Sequence, residues 1–288
     1  MDEGLIARAD ANYFDAWAAI VATMPDGETR ERAGVLITCS GLPVTIFNIA
    51  FVTRPLAAPD AALRDAAAFF DERKLPFVVR VREGVDSASE TAAERMGMVP
   101  GGLLPSMILS PMKEPPPVPA GLEIRTAADI AGLRDHAAVV ADAFGFPVQL
   151  AEQVLTDRLL SLTDAELYVG YVDGQPVASS AMFAVHRTAG VYNVGCLQTH
   201  RRKGYGEAMT WHAVRLDGLH HVEPAGIGDG CARVCAHGLR NARALQDVPP
   251  SRDLSAIPRL SGVLRTRAAD AASRTRRSRD ARQRAWAP

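Results

Sequence analysis

Between Gln198 and Ala208 the chain reads Gln-Thr-His-Arg-Arg-Lys-Gly-Tyr-Gly-Glu-Ala, three consecutive cations followed by two glycines one residue apart. The apolar run 191–197 ahead of it reads as a strand, and the stretch from Gly204 to about residue 216 reads as a helix. A strand, a basic turn and a helix in that order make an anion site, because the free amides and the dipole of a helix N-terminus attract phosphate. Side chains at 204 or 206 would hold a diphosphate away from those amides, and glycine removes that obstacle. Arg201, Arg202 and Lys203 add positive charge at the same place. The pattern is neither a dinucleotide fingerprint nor a Walker loop, since no Gly-Lys-Ser/Thr follows and the glycine spacing differs. A plain glycine turn with a solvated basic face would use the same residues; the strand and helix on either side favour the anion site.

Groups able to move a proton lie close by in sequence. Tyr192 sits on the strand that leads to the loop, and His186 ends the strand before it. Both are candidate catalytic residues, although a lone Tyr or His at a strand end is more often packed or solvated. Glu166, at a strand edge, is a lesser candidate. Cys196 could act as a nucleophile, but its position on the strand favours packing. Cys231-x-x-x-Cys235-x-His237 and the pair His220-His221 lack a fourth spaced ligand, so no metal is expected.

The elements that must position the loop can be read around it. Residues 5–24 carry Ile6, Tyr13, Phe14, Trp17 and Ile20 at helical spacing and stop at Pro25-Asp26-Gly27. Strands are expected at 35–39 and 44–52, joined as a hairpin, then a helix at 59–74, a strand at 76–81, a helix at 87–96 closed by Gly97, and a strand at 103–109. Four prolines in 113–121 mark a linker. Beyond it come a strand at 122–125, a helix capped at Thr126 and ended by Gly145, a helix at 148–162, and strands at 166–172, 176–185 and 190–197. The alternation, with hairpins in the middle, implies an α/β (α+β) fold: a mixed twisted sheet with helices on both faces.

Composition bounds the rest. The chain has 288 residues, 48% hydrophobic and 23% charged, which excludes a disordered chain and a multi-span membrane protein. Residues 33–53 carry no charge, but Gly34, Ser40, Gly41, Pro43 and Asn48 interrupt them, so no membrane partner is expected. Four scattered cysteines and an acidic start at Met1-Asp2-Glu3 imply a reducing, cytoplasmic setting without a targeting segment. The net charge of -1 gives no global pull toward nucleic acid. The charge is uneven, however: residues 217–288 hold thirteen arginines, no lysine, six aspartates and one glutamate, and no Phe, Tyr or Met. That stretch reads as a basic tail of low order, or as a segment decoded in the wrong frame of a GC-rich gene. As a tail it could bind nucleic acid only in a salt-sensitive, sequence-blind way, since aromatics are not interleaved apart from Trp286.

Arg201, Gly204 and Gly206 match the acyl-CoA loop [RQ]-x-x-G-x-[GA] of the GNAT superfamily of acetyl-CoA-dependent N-acetyltransferases, which the region 122–216 resembles. The resemblance implies that Val194-Gly195-Cys196-Leu197 is a pantetheine-binding strand, with Cys196 and Leu197 pairing to pantetheine. It further implies that the amides of Arg202, Lys203, Gly204, Tyr205 and Gly206 hold the diphosphate of acetyl-CoA. The acceptor would be a primary amine of a small molecule or a protein. Residues 76–109 are similar to that family's closing strand, helix and strand, yet no such loop precedes Pro119. The implied organisation is two tandem GNAT-like domains: a degenerate one at 1–112, the linker 113–121, an incomplete acyl-CoA-binding domain at 122–216, and the tail 217–288. Nothing after residue 216 resembles the family's fifth strand and closing segment, so a catalytically impaired acyl-CoA-binding remnant is the alternative.

Overall fold

The computed structural model describes residues 3–214, 222–224 and 236–243. The chain opens with α1 (Glu3–Thr23), which buries Leu5, Ala9, Tyr13, Ala16 and Ile20 on one face. The helix is where the sequence predicts it and Tyr13 and Ile20 are buried as expected, but the stripe is rotated: Leu5, Ala9 and Ala16 complete the buried face while Ile6, Phe14 and Trp17 are only half-buried beside it. Strands β1 (Glu28–Arg32), β2 (Val35–Cys39) and β3 (Asn48–Val52) follow, then α2 (Pro59–Glu72), β4 (Val78–Arg82), α3 (Ser87–Arg95) and β5 (Val99–Met107). The loop before β3 is locked by Asn48, fully buried, which accepts from Ser40 and donates to the carbonyls of Leu42 and Pro76. Strand β1 escapes a sequence reading because its residues, Glu-Thr-Arg-Glu-Arg, are all exposed; it is an edge strand whose charges face water.

The second half contains β6 (Glu123–Thr126), α4 (Ile130–Phe144), α5 (Val148–Val154), β7 (Ala165–Val172), β8 (Gln175–Val185), β9 (Thr188–Cys196) and α6 (Tyr205–Ala213). The cap of α4 is Asp129, whose carboxylate accepts from the Gly132 amide at 2.8 Å, and not Thr126 as the sequence suggests. Gly145 closes α4 at φ +74°. The expected helix 148–162 breaks at Leu155, and a short 3-10 turn at Asp157–Ser161 completes the span.

Two short strands lie beyond α6, inside the span expected to be a basic tail. β10 (Val222–Pro224) runs parallel to β9, and β11 (Ala236–Arg243) enters the first sheet. The first sheet has the order β1-β2-β3-β4-β11-β5 and the second β10-β9-β8-β7-β6. Both are mixed: β3 and β4 are parallel in the first, as are β9 and β10 in the second, and the remaining neighbours are antiparallel. The sequence readings on His220, His221, Cys231 and Cys235 and on the arginines after residue 243 fall outside the described residues, as do the side chains of β10 and β11.

Helix α1 joins the two halves. Tyr13, Ile20 and Val21 share one continuous core with Phe51 and Val78 of the first sheet, Val140 of α4, Val154 of α5 and Tyr192 of β9. Separate cores lie beneath α2 and α3, and beneath α6. Midway along α1, Asn12 is fully buried and reaches the β8–β9 hairpin, donating to the carbonyls of Phe183 at 2.8 Å and Thr188 at 3.3 Å and accepting from the Tyr192 hydroxyl at 2.6 Å. Gly190 makes room for it: a Cβ there would sit 1.9 Å from Asn12 Oδ1. Arg80 is buried under the same helix, donating to the Tyr13 hydroxyl and surrounded by the rings of Tyr13, Trp17 and Phe51. Burial pulls its guanidinium down to about 10.

Candidate functional site

Strand β9 does not continue its ladder evenly. Ser179 of β8 faces Gly195, and Ala181 faces Tyr192, so Asn193 and Val194 together oppose the single residue Ser180. This is a β-bulge, and Asn193 carries φ +52° to make it. The Asn193 carbonyl, turned out of the ladder, accepts from Ser179 Oγ at 2.8 Å. The bulge also shifts the alternation of side chains. Tyr192 lies in the core shared with α4, Asn193 contacts His136 of the same helix, and Val194 and Cys196 join the core beneath α6.

The outer edge of β9 is partly covered. β10 pairs only with Ala189, Gly190 and Val191, so among the described residues no strand pairs with 192–196 on that side. The Leu197 amide donates to Val177 of β8 at 2.9 Å, and its carbonyl accepts from His200 at 2.8 Å. Both backbone groups of Leu197 therefore have a partner, its amide on β8 and its carbonyl in the turn that follows. Since amides alternate sides along a strand, the same bond turns the Cys196 amide to the open edge.

The turn after β9 is built for a helix start without a side-chain cap. Gly204 takes φ +80° at the N-cap of α6, no side chain caps the helix, and the first internal bond runs from Ala208 to Gly204 at 3.0 Å. The amides of Tyr205, Gly206 and Glu207 have no acceptor within the helix. Arg202, Lys203 and Gly204 are exposed, and Arg202 is left-handed at φ +62°. A Cβ at Gly206 would meet only Cys196 Sγ at 3.8 Å and Val194 at 3.9 Å, whereas one at Gly204 would come within 3.3 Å of Pro119 from the linker. Tyr205 contributes its amide to the turn while its ring is buried beneath α6.

Arg201, exposed at the start of the turn, also ties it to the rest of the fold. Its guanidinium donates to the carbonyls of Cys196 at 3.4 Å and Ala143 at 3.2 Å, tying the turn to the last residues of α4. Asp142 adds a second tie by accepting from the Gln198 amide at 3.3 Å. Gly195 lets α4 approach, since a Cβ there would lie 2.7 Å from that of Ala143. Burial pushes the Cys196 thiol up, against the opposing charge of Arg201 and the Gly206 amide, so it is held as a neutral thiol at physiological pH.

The two candidate proton-transfer residues are otherwise occupied. The Tyr192 hydroxyl donates to Asn12. His186 sits at the β8–β9 turn, within 2.5 Å of Asp15, at the opposite end of β9 from Cys196. At about 3.3 Å per residue that end is roughly 30 Å from the loop. Glu166 accepts from the Tyr168 hydroxyl at 2.8 Å.

The sequence reading passed over His136, which is fully buried on α4 directly behind the bulge. Its Nδ1 faces the Tyr168 carbonyl at 3.1 Å, so Nδ1 carries the proton, and Nε2 lies 3.5 Å from the Asn193 amide nitrogen as an acceptor. Burial pulls this imidazole down from its ordinary 6.5 to about 4. The folded protein therefore keeps it neutral where the unfolded chain binds a proton. Stability from this group is complete above pH 6.5 and is lost as the pH falls toward 4, by about 3 kcal/mol over that window. Thermal melts between pH 7 and 4 should show this acid loss in the wild type and a visibly shallower one in His136→Gln; equal slopes would remove His136 as its source.

No protein-family model matches the sequence, and no curated protein does. Solved structures do match. A GCN5-related N-acetyltransferase (GNAT) from Kribbella flavida superposes with a TM-score of 0.63 at 18% identity, covering 82% of this chain and 95% of that one. The chain has the GNAT fold. A GNAT from Sphaerobacter thermophilus agrees at a TM-score of 0.54 and 16% identity, over 75% of this chain and 79% of that one. A conserved protein of unknown function from Staphylococcus epidermidis agrees at 0.54 and 17%, over 77% and 95%. Coverage of this order takes in both halves of the chain, and the mixed α/β architecture with two sheets is that of the GNAT fold. Among the described residues, no helix is long and apolar enough to cross a membrane.

Proposed function

We propose that this chain is an N-acetyltransferase that moves the acetyl group of acetyl-CoA onto a primary amine of a small molecule or a protein. The observation that carries the reading is a coincidence at the end of β9. Among the described residues its outer edge lies open from residue 192 and it runs directly into a helix N-terminus with no side-chain cap, and there is no Cβ at 204 or 206. The diphosphate suits the amides of 202–206, with Arg202 and Lys203 as exposed cations beside it, and Gly206 Cα can be approached closely. An extended pantetheine arm suits the open edge, where it can pair with Cys196 as an added strand does. The acetyl group then reaches the bulge, where the interrupted ladder leaves an amide free to stabilise the oxyanion.

On this reading Arg201 is a positioning residue, since it holds the turn against α4. The acceptor nitrogen attacks the thioester carbonyl, a carbon–nitrogen bond forms, the carbon–sulfur bond breaks, and the departing thiolate takes up the proton that the amine gives up. The test is a thermal melt with and without saturating CoA, followed by thiol release from acetyl-CoA in the presence of amines. An upshift of several degrees with amine-dependent thiol release supports the reading, and the lack of any upshift overturns it. A cytoplasmic location is proposed with it.

A second reading, an acyl-CoA-binding protein with little turnover, is favoured by one specific observation. Neither Tyr192, engaged by Asn12, nor His186, engaged by Asp15 at the far end of β9, presents a proton-transfer group to the bulge. It predicts the same upshift without thiol release.

A further inference from the structure

A cavity of about 80 Å³ opens beside the bulge, between α1, the turn before β3, and the α4–α5 pair. Trp17, Phe47, Val140 and Phe146 line it together with Tyr192 and Asn193 of β9. Trp17 and Phe47 lie with ring centroids 6.3 Å apart, and Phe47 meets Phe146 edge-on at 6.5 Å. Among the described residues, no charged side chain contributes to the lining. Tyr192 presents its ring, because its hydroxyl is taken by Asn12. Asn193 turns one amide hydrogen to His136 Nε2 at 3.5 Å and keeps Oδ1 as an acceptor with no partner among the described residues. Two of the cavity's walls, Trp17 and Phe47, come from the half of the chain that has no acyl-CoA loop.

From this lining we infer that the acceptor is a primary amine carried on one aromatic or branched apolar group. That group fills the cavity, and its nitrogen lies at Asn193 Oδ1, next to the bulge. The inference rests on the acetyl-transfer reading and names the substrate class for that site. A polyamine is excluded by the same lining, because its further ammonium groups would enter an apolar wall with no carboxylate to meet them. Desolvation there also favours the neutral amine, the form that attacks a thioester. The overall step balances as amine plus acetyl-CoA giving the acetamide and CoA thiol.

The experiment compares 2-phenylethylamine, 3-methylbutylamine and spermidine as acceptors with the full chain and acetyl-CoA. It also measures binding of 2-phenylethylamine by ligand-observed NMR, with and without CoA. The expected result is a kcat/KM at least 100-fold higher for one or both apolar amines than for spermidine. Phe146→Ala and Trp17→Ala, both at half-buried positions, should raise the apolar amine's KM about tenfold or more without changing CoA affinity. Ala151→Phe, which fills the cavity from α5, should abolish 2-phenylethylamine binding. Spermidine preferred over both apolar amines, or an unchanged KM in Phe146→Ala and Trp17→Ala, overturns the inference while leaving acetyl transfer standing. Apolar amines that neither bind nor react while CoA still binds do the same. Loss of CoA binding itself in the wild type overturns both.

Discussion

Gly206→Glu should leave the protein folded, with a melting temperature equal to or slightly above that of the wild type, and should remove its response to CoA. The two effects have opposite signs for one physical reason. A side chain at 206 has room, since the nearest atoms to its Cβ are 3.8 and 3.9 Å away, and its φ is not left-handed. Glutamate is also a better helix residue than glycine by roughly 0.5–1 kcal/mol, and its charge in the first turn adds about 0.3–1 kcal/mol. The same carboxylate stands where the diphosphate is proposed to bind. Like charges across a contact cost several kcal/mol, so affinity for CoA should fall by about 100-fold or more. Gly206→Ala is the control: it adds the Cβ without the charge, and binding should persist. Calorimetric titration with CoA reads both variants, and Gly206→Glu binding within about threefold of the wild type would sink the anion site. Gly204→Ala should behave differently again, losing about 1–2 kcal/mol of stability, because alanine is strained at φ +80° and its Cβ crowds Pro119.

The largest loss of stability is expected at Asn12. Asn12→Leu removes the donor for the Phe183 and Thr188 carbonyls and the acceptor for the Tyr192 hydroxyl, all in a site where Asn12 has no exposed surface. Water cannot replace what is lost, so several buried polar groups are left unpaired at once, at about 1–3 kcal/mol each. A total of roughly 3–5 kcal/mol corresponds to a drop in melting temperature of roughly 10 °C or more for a domain of this size. Tyr192→Phe removes only one of these bonds and should cost less than half as much. Its acetyl-transfer rate carries a separate message: a rate within about threefold of the wild type marks Tyr192 as structural, and a loss beyond 100-fold marks it as the proton donor. An Asn12→Leu protein as stable as the wild type would show that the junction between α1 and the β8–β9 turn contributes little.

Much of this was legible from residue spacing. The stripe of Tyr13, Trp17 and Ile20 gave α1, Gly97 and Gly145 marked helix ends, and the order strand, basic turn, helix located α6 and its uncapped start. Three things were not legible, each for a physical reason. β1 carries only exposed polar residues, so its pattern has no apolar face to reveal it. The bulge at Asn193 and Val194 depends on what Ser180 faces across the sheet, which is a long-range pairing and not a local preference. His136 reads as one more residue on the buried face of an amphipathic helix; only the bulge beside it gives its Nε2 a partner. Arg201 was legible as part of a motif, but its bond to α4 was not, because the carbonyl of Ala143 that it reaches lies 58 residues away in sequence. A side chain's charge predicts attraction to an anion, and a nearby carbonyl at a helix end competes for the same donor.

Strand β11 lies between β4 and β5, bonded to Leu103 and Leu104 on one side and to Val79 and Arg80 on the other. An interior place in the first sheet, one strand in from the β5 edge, is thus taken by a segment that follows both of its neighbours by more than a hundred residues. During synthesis, β4 and β5 must wait with open edges while well over a hundred further residues are made, and the sheet can close only after Arg243 has emerged. The facing edges of β4 and β5 therefore stay open to self-association throughout the synthesis of the second sheet, and only the arrival of β11 closes them.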